Sequence, residues 1–116
     1  MNLPELTQAL LQFRDERNWA QFHTLRNLIV SLNLEAAELL ELTQWKSEEE
    51  MLGISGEALR DECADVLLYL LLIADKAGIN LEEAARNKLK KNAKKYPIEK
   101  SYGSSRKYTQ LDLRED

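Results

Sequence analysis

Apolar positions recur three and four residues apart through most of the chain, and nowhere does the two-residue alternation of a strand take over. Leu3, Leu6, Leu10 and Phe13 form one such stripe and predict a first helix over about 3–17. Asn2 and Glu5 stand at capping-box spacing, and Pro4 is acceptable in a first turn. Residues 18–24 break the period and are expected to form a loop that holds two aromatics and the only histidine, His23. Leu28, Ile29, Leu32, Ala36, Leu39, Leu40 and Leu42 predict a second helix over about 25–45. Three adjacent acids and two glycines in 46–56 mark a connection. A third helix is expected over about 57–77, with Ser55 as its N-cap and Gly78 as its terminator. A fourth follows over about 81–96, opened by Asn80 and Glu83 at capping spacing and stopped by Pro97. The reading is an all-α four-helix bundle over 1–97, followed by a polar, basic tail over 98–116.

The third helix carries nine consecutive apolar residues, Val66 to Ala74. A helix apolar on every side needs cover on every side. A lone bundle of this length gives too little, so part of that surface is expected to meet another subunit. The run is far short of the ~20 residues a membrane span needs.

Against this apolar background the acids stand out. Glu35 and Glu38 lie three apart in the second helix, Glu62 and Asp65 three apart at the head of the apolar run, so each pair shares a helix face. Ionised carboxylates beside a core are costly unless something positive meets them. An oxygen-only set with no histidine or cysteine suits Mg²⁺, with Mn²⁺ as the alternative. Glu at 38 and Asp at 65 depart from the Glu-x-x-His pairs of di-iron bundles. Because Mg²⁺ commonly completes its shell with substrate phosphates, a nucleotide is the natural guest. The plainer alternative is that such pairs are solvated helix faces.

Composition narrows the field further. With 116 residues the chain is one domain with one core. Scarce Gly (4) and Pro (2) favour long helices. A single cysteine, Cys63, excludes an internal disulfide and a CxxC metal site. With no basic-then-apolar signal pattern at the N-terminus, a cytoplasmic setting is expected. The net charge of −4 is unevenly spread. Residues 1–85 hold 6 basic and 16 acidic side chains, whereas 86–111 hold 9 basic and one acidic. An acidic body followed by a basic segment fits a polyanion bridged by cations. The same basic segment raises the rival of a nucleic-acid module, against which the acidic body argues.

Trp19, His23, Trp45 and Tyr69 form the second group of candidates. Tyr69 is one turn after Asp65 on the same face, and Trp45 ends the helix that carries Glu35 and Glu38. Such rings stack well on nucleobases. Each, taken alone, is also an ordinary core filler or loop residue.

Together these segments resemble a known family. Glu35-x-x-Glu38, 23 intervening residues and Glu62-x-x-Asp65 resemble the signature of MazG-type all-α nucleoside triphosphate pyrophosphohydrolases. Residues 17–23, Arg26-Asn27-Leu28, Gln44-Trp45-Lys46, 65–70, Tyr96-Pro97 and Ser105-Arg106-Lys107-Tyr108 resemble its dCTP pyrophosphatase branch. The resemblance covers nearly the whole chain. It implies Mg²⁺-dependent cleavage of a (deoxy)nucleoside triphosphate, dCTP or a modified dCTP, to the monophosphate and pyrophosphate. It implies Glu35, Glu38, Glu62 and Asp65 as metal-holding, catalytic residues, and Trp19, His23, Trp45 and Tyr69 as the base and sugar pocket. Lys88, Asn92 and Lys95 are implied for the phosphates, with Arg106 and Lys107 behind them. It also implies a homotetramer built as a dimer of dimers. Some relatives use a histidine in the first helix for the nucleotide, and the first helix here has none. The alternative is a nucleotide-binding or sensing protein of the same fold with negligible turnover.

Overall fold

The computed structural model describes residues 1–53 and 56–112, and among these the chain is all-helical, with no strand. Helices α1 (Leu3–Glu16), α2 (Leu25–Glu41), α3 (Glu48–Gly53), α4 (Gly56–Ala77), α5 (Leu81–Lys95) and α6 (Ile98–Ser101) follow in order. They divide into two compact units, Met1–Ile79 and Asn80–Asp116. None of these helices is long and apolar enough to cross a membrane.

In the first unit, α1 begins where the Asn2 side chain accepts the Glu5 amide at 2.9 Å. It ends at Asn18, whose φ of 54° is a left-handed conformation that Asn tolerates better than most residues. The turn is pinned from above. The Arg17 guanidinium lies 3.7 Å from the centre of the Phe13 ring, and Phe13 meets Trp19 edge-on at 5.7 Å. One 3₁₀ turn, Ala20–Phe22, fills the loop. Thr24 then caps α2 by accepting the Asn27 amide at 3.1 Å, while the Asn27 side chain donates back to the Phe22 carbonyl at 3.0 Å. The loop that carries Trp19 and His23 is thereby tied to both flanking helices.

Two expectations change here. The second helix stops at Glu41, four residues short of Trp45. Amides of Thr43 and Gln44 bond three residues back, to Leu40 and Glu41, and the Thr43 hydroxyl donates to the Leu40 carbonyl at 2.7 Å. That tightened turn ends in Trp45 at a left-handed φ of 63°. The expected connection over 46–56 contains α3, because the Ser47 hydroxyl accepts the Glu50 amide and donates to the Glu50 carboxylate, each at 3.2 Å, which caps the first turn. The adjacent acids that read as loop are stabilising in such a first turn. Ser55, the expected cap of the third helix, lies outside the described residues.

Helix α4 ends at Gly78 (φ 69°), with the Ile79 amide reaching back to the Ala74 carbonyl at 2.8 Å. It packs chiefly along α2, and α1 lies against it as well. Leu28, Leu71, Leu72 and Ala74 form the buried core. Leu67 and Leu70 of the apolar run each keep 37% of their surface in the single chain.

In the second unit, α5 starts at Asn80, which accepts the Glu83 amide at 3.1 Å. Beyond Pro97 the chain forms α6 and then a 3₁₀ turn at Tyr108–Gln110. Tyr108 meets Tyr96 edge-on at 6.0 Å and carries the Lys95 ammonium 4.8 Å above its ring. Lys100 pairs with Asp112.

Candidate active site

The packing of α2 along α4 sets the two acidic pairs against each other. Carboxylate oxygens of Glu35, Glu62 and Asp65 lie within 4.8 Å of one another, and all three side chains are half-buried. Glu38 is exposed on the rim, one turn from Glu35, and its charge bears on both Glu35 and Glu62. Among the described residues no lysine or arginine pairs with any of the four.

This concentration of negative charge has consequences at two atoms. Glu35 Oε2 and Glu62 Oε2 are buried and have no hydrogen-bond partner. Burial pushes the Glu35 carboxyl up from its usual 4.5 to about 7, helped by the adjacent Glu38 carboxylate and by the charges of Asp65 and Glu62. Burial and then the charge of Glu38 also raise Glu62. Two orphaned, partly desolvated carboxylate oxygens facing a third carboxylate fit a hard divalent cation, which would satisfy both atoms and cancel the repulsion.

The sign of the linkage can be tested without substrate. The raised Glu35 pKa means that the folded chain holds a proton more tightly than the unfolded chain. The stability this adds is complete below 4.5 and is lost as pH rises through about 7. Metal-free protein is therefore expected to melt progressively lower from pH 4.5 to 8, with a shallower slope in Glu35→Gln. Mg²⁺ added at pH 8 should raise the midpoint more than at pH 5.5, where protons compete. Scanning calorimetry with and without chelator measures both; equal slopes in wild type and variant would contradict this electrostatic picture.

Two recesses open beside the acids. The first, of about 190 Å³, has Leu10, Phe13, Leu68 and Leu72 as its apolar lining, with Trp19, Tyr69, His23, Arg14 and Asp65 completing the wall. The second, of about 290 Å³, shares Trp19, His23 and Tyr69 and adds Phe22, Asn27, Leu28 and Ser31. Asp65 thus belongs both to the acidic cluster and to an aromatic recess. The Nδ1 atom of His23 is buried without a partner. Burial and then the nearby Arg14 charge lower its pKa, which favours the neutral ring.

Trp45 is 91% exposed and lines neither recess. Lys88, Asn92 and Lys95 belong to the second unit and share one face of α5 at spacings of four and three, with Lys95 engaged by Tyr108. Arg106 is half-buried and Lys107 exposed in the same unit. Arg14 and Ser31 line a recess and are not among the sequence candidates, and Asn27 is marked there only by the Arg26-Asn27-Leu28 segment. A signal for Arg14 was present: it follows Leu10 by four, so it shares the face of the apolar stripe.

Known proteins provide an independent comparison. The MazG-like family profile matches residues 30–111. The dCTP pyrophosphatase 1 of Homo sapiens is 39% identical over 115 residues, which cover 94% of this chain and 67% of that protein. The Rattus norvegicus dCTP pyrophosphatase 1 is 39% identical over 114 residues, with the same shares. Among solved structures, a pyrophosphatase from Archaeoglobus fulgidus superposes with a TM-score of 0.78 at 44% identity, over 84% of this chain and 94% of that one. With both acidic pairs inside the matched segment, the chain belongs to the MazG-like family.

Proposed function

We propose that this chain is a Mg²⁺-dependent nucleoside triphosphate pyrophosphohydrolase that converts dCTP, or a modified dCTP, to the monophosphate and pyrophosphate. The observation that carries the reading is the double placement of Asp65, in the carboxylate cluster and in the wall of the recess lined by Trp19 and Tyr69. A triphosphate whose phosphates meet the acids can then set its base between aromatic walls. The names of the relatives support cytosine as that base.

Glu35, Glu38, Glu62 and Asp65 would hold the metal. Bound there, a divalent cation supplies charge neutralisation of the triphosphate and Lewis acidity at the reacting phosphorus. The chain's own part is to fix the four carboxylates from two packed helices, which spares reorganisation during reaction. Water adds to the phosphate chain, the bridge between the first and second phosphates breaks, and the released proton passes to the carboxylate cluster. Trp19, His23 and Tyr69 hold base and sugar. Trp45, too exposed to act within one chain, and Lys88, Asn92 and Lys95 complete the pocket and phosphate contacts in the assembled oligomer, a tetramer. The open Leu67 and Leu70 surface supports that assembly. The setting proposed for this activity is the cytoplasm.

A panel of the four deoxy- and four ribonucleoside triphosphates, assayed with Mg²⁺, tests the substrate assignment. The expected result is highest kcat/KM for dCTP, with dCMP as product. Preference for another base would overturn the assignment to dCTP, and nucleoside diphosphate as product would overturn the reaction type.

A further inference from the structure

Arg14 is the one fixed positive charge among the described residues that line the recess beside Asp65. Holding a metal does not require it. Its Nε donates to Asp15 Oδ1 at 2.8 Å, and its two terminal nitrogens make no hydrogen bond among the described residues. The side chain keeps 21% of its surface, and its terminal nitrogens are not buried, so they remain accessible as donors to a guest in the recess.

The position of Arg14 along the recess is informative. Asp65, Tyr69, Leu72 and Asp75 follow one face of α4 at spacings of four, three and three. Asp65 acts on the acidic cluster, whereas Asp75 is the α4 acid whose charge bears on Arg14. The recess therefore runs along α4 from the acids toward Arg14, and Asp65 to Leu72 alone spans about 10 Å of helix axis. A nucleotide with its phosphates at the acids points its base toward the guanidinium.

A guanidinium only donates, and its planar fork suits two neighbouring acceptors. Cytosine offers such a pair, O2 and N3. Uracil and thymine carry an N3–H donor between their carbonyls, which opposes a second donor. We propose that Arg14 is a specificity-determining residue, donating to O2 and N3 of cytosine and so discriminating against uracil and thymine. This rests on the reading above, in which the recess receives the base of a triphosphate. With a neutral His23 beside it, Arg14 is the only cation among the described residues that line this recess.

The test compares kcat/KM for dCTP, dUTP and dTTP with Mg²⁺ in the full chain, Arg14→Gln and Arg14→Lys, each checked by circular dichroism. Lysine keeps the charge but not the fork, so it retains any purely structural or electrostatic role. In both variants the dCTP:dUTP ratio is expected to fall by about tenfold or more, through a higher KM for dCTP. An unchanged ratio with turnover intact overturns the role of Arg14 and leaves the pyrophosphohydrolase reading standing. A uniform loss across all three bases also overturns it, because that is the mark of a structural part. If the unaltered chain hydrolyses none of the three, the underlying reading fails and this inference falls with it.

Discussion

Asp65→Asn is expected to lower kcat/KM for dCTP by about 10²–10³-fold while leaving the fold intact. The substitution keeps the volume of the side chain and removes one negative charge from a cluster whose other members are held by two packed helices. Asn offers a neutral carbonyl in place of a carboxylate, which weakens metal affinity and the field acting on the phosphates together. Losses of that size follow when a single fixed electrostatic group is removed from a site. Because Asp65 also lines the aromatic recess, the loss should divide between the Mg²⁺ requirement and KM for the nucleotide. Steady-state kinetics over a Mg²⁺ series separates the two. Activity within twofold of the original at saturating Mg²⁺ would remove Asp65 from the centre of the site. Glu35 and Glu62 are expected to behave alike, and the exposed Glu38 to show the smallest effect of the four.

Leu28→Ala is expected to destabilise the protein by about 2–5 kcal/mol, the range for emptying a buried leucine position. Leu28 keeps 2% of its surface, and it lines the recess shared by Trp19, His23 and Tyr69. The buried core among the described residues is small, so one lost side chain is a large fraction of it. At roughly 4–8 °C per kcal/mol for a domain near this size, the melting midpoint should fall by about 8 °C or more at fixed protein concentration. The truncation also opens the wall of the recess, so nucleotide affinity should drop even below the new midpoint. Thermal melts and nucleotide titrations at 15 °C check both effects. A midpoint shift under 2 °C would mean that Leu28 does not anchor α2 as its burial implies.

The positions of these residues differ in how far the chain announces them. α1 and α5 start where Asn2 and Asn80 place them, since capping is local chemistry, and α2 and α4 start within a residue of the expected 25 and 57. The spacing of three within each acidic pair is equally local. That the two pairs meet depends on α2 lying along α4, which periodicity expects but cannot measure. The end of α2 was misjudged because apolar periodicity continues through Leu42, while the Thr43 hydroxyl and three-residue hydrogen bonds tighten the chain first. Helix α3 was missed because three consecutive glutamates read as a solvated connection, although they suit a first turn behind Ser47. Arg14 escaped notice for a different reason. A lone arginine next to an apolar stripe is common, and only the recess distinguishes this one.

The central claim is that the carboxylate cluster cuts a triphosphate so as to release pyrophosphate. The most direct measurement follows the protein with dCTP and Mg²⁺ by ³¹P nuclear magnetic resonance, with a parallel sample in excess chelator. The expected result is simultaneous growth of one monophosphate and one pyrophosphate signal, absent in chelator and restored by added Mg²⁺. Growth of a nucleoside diphosphate with orthophosphate, or equal hydrolysis in chelator, would contradict it.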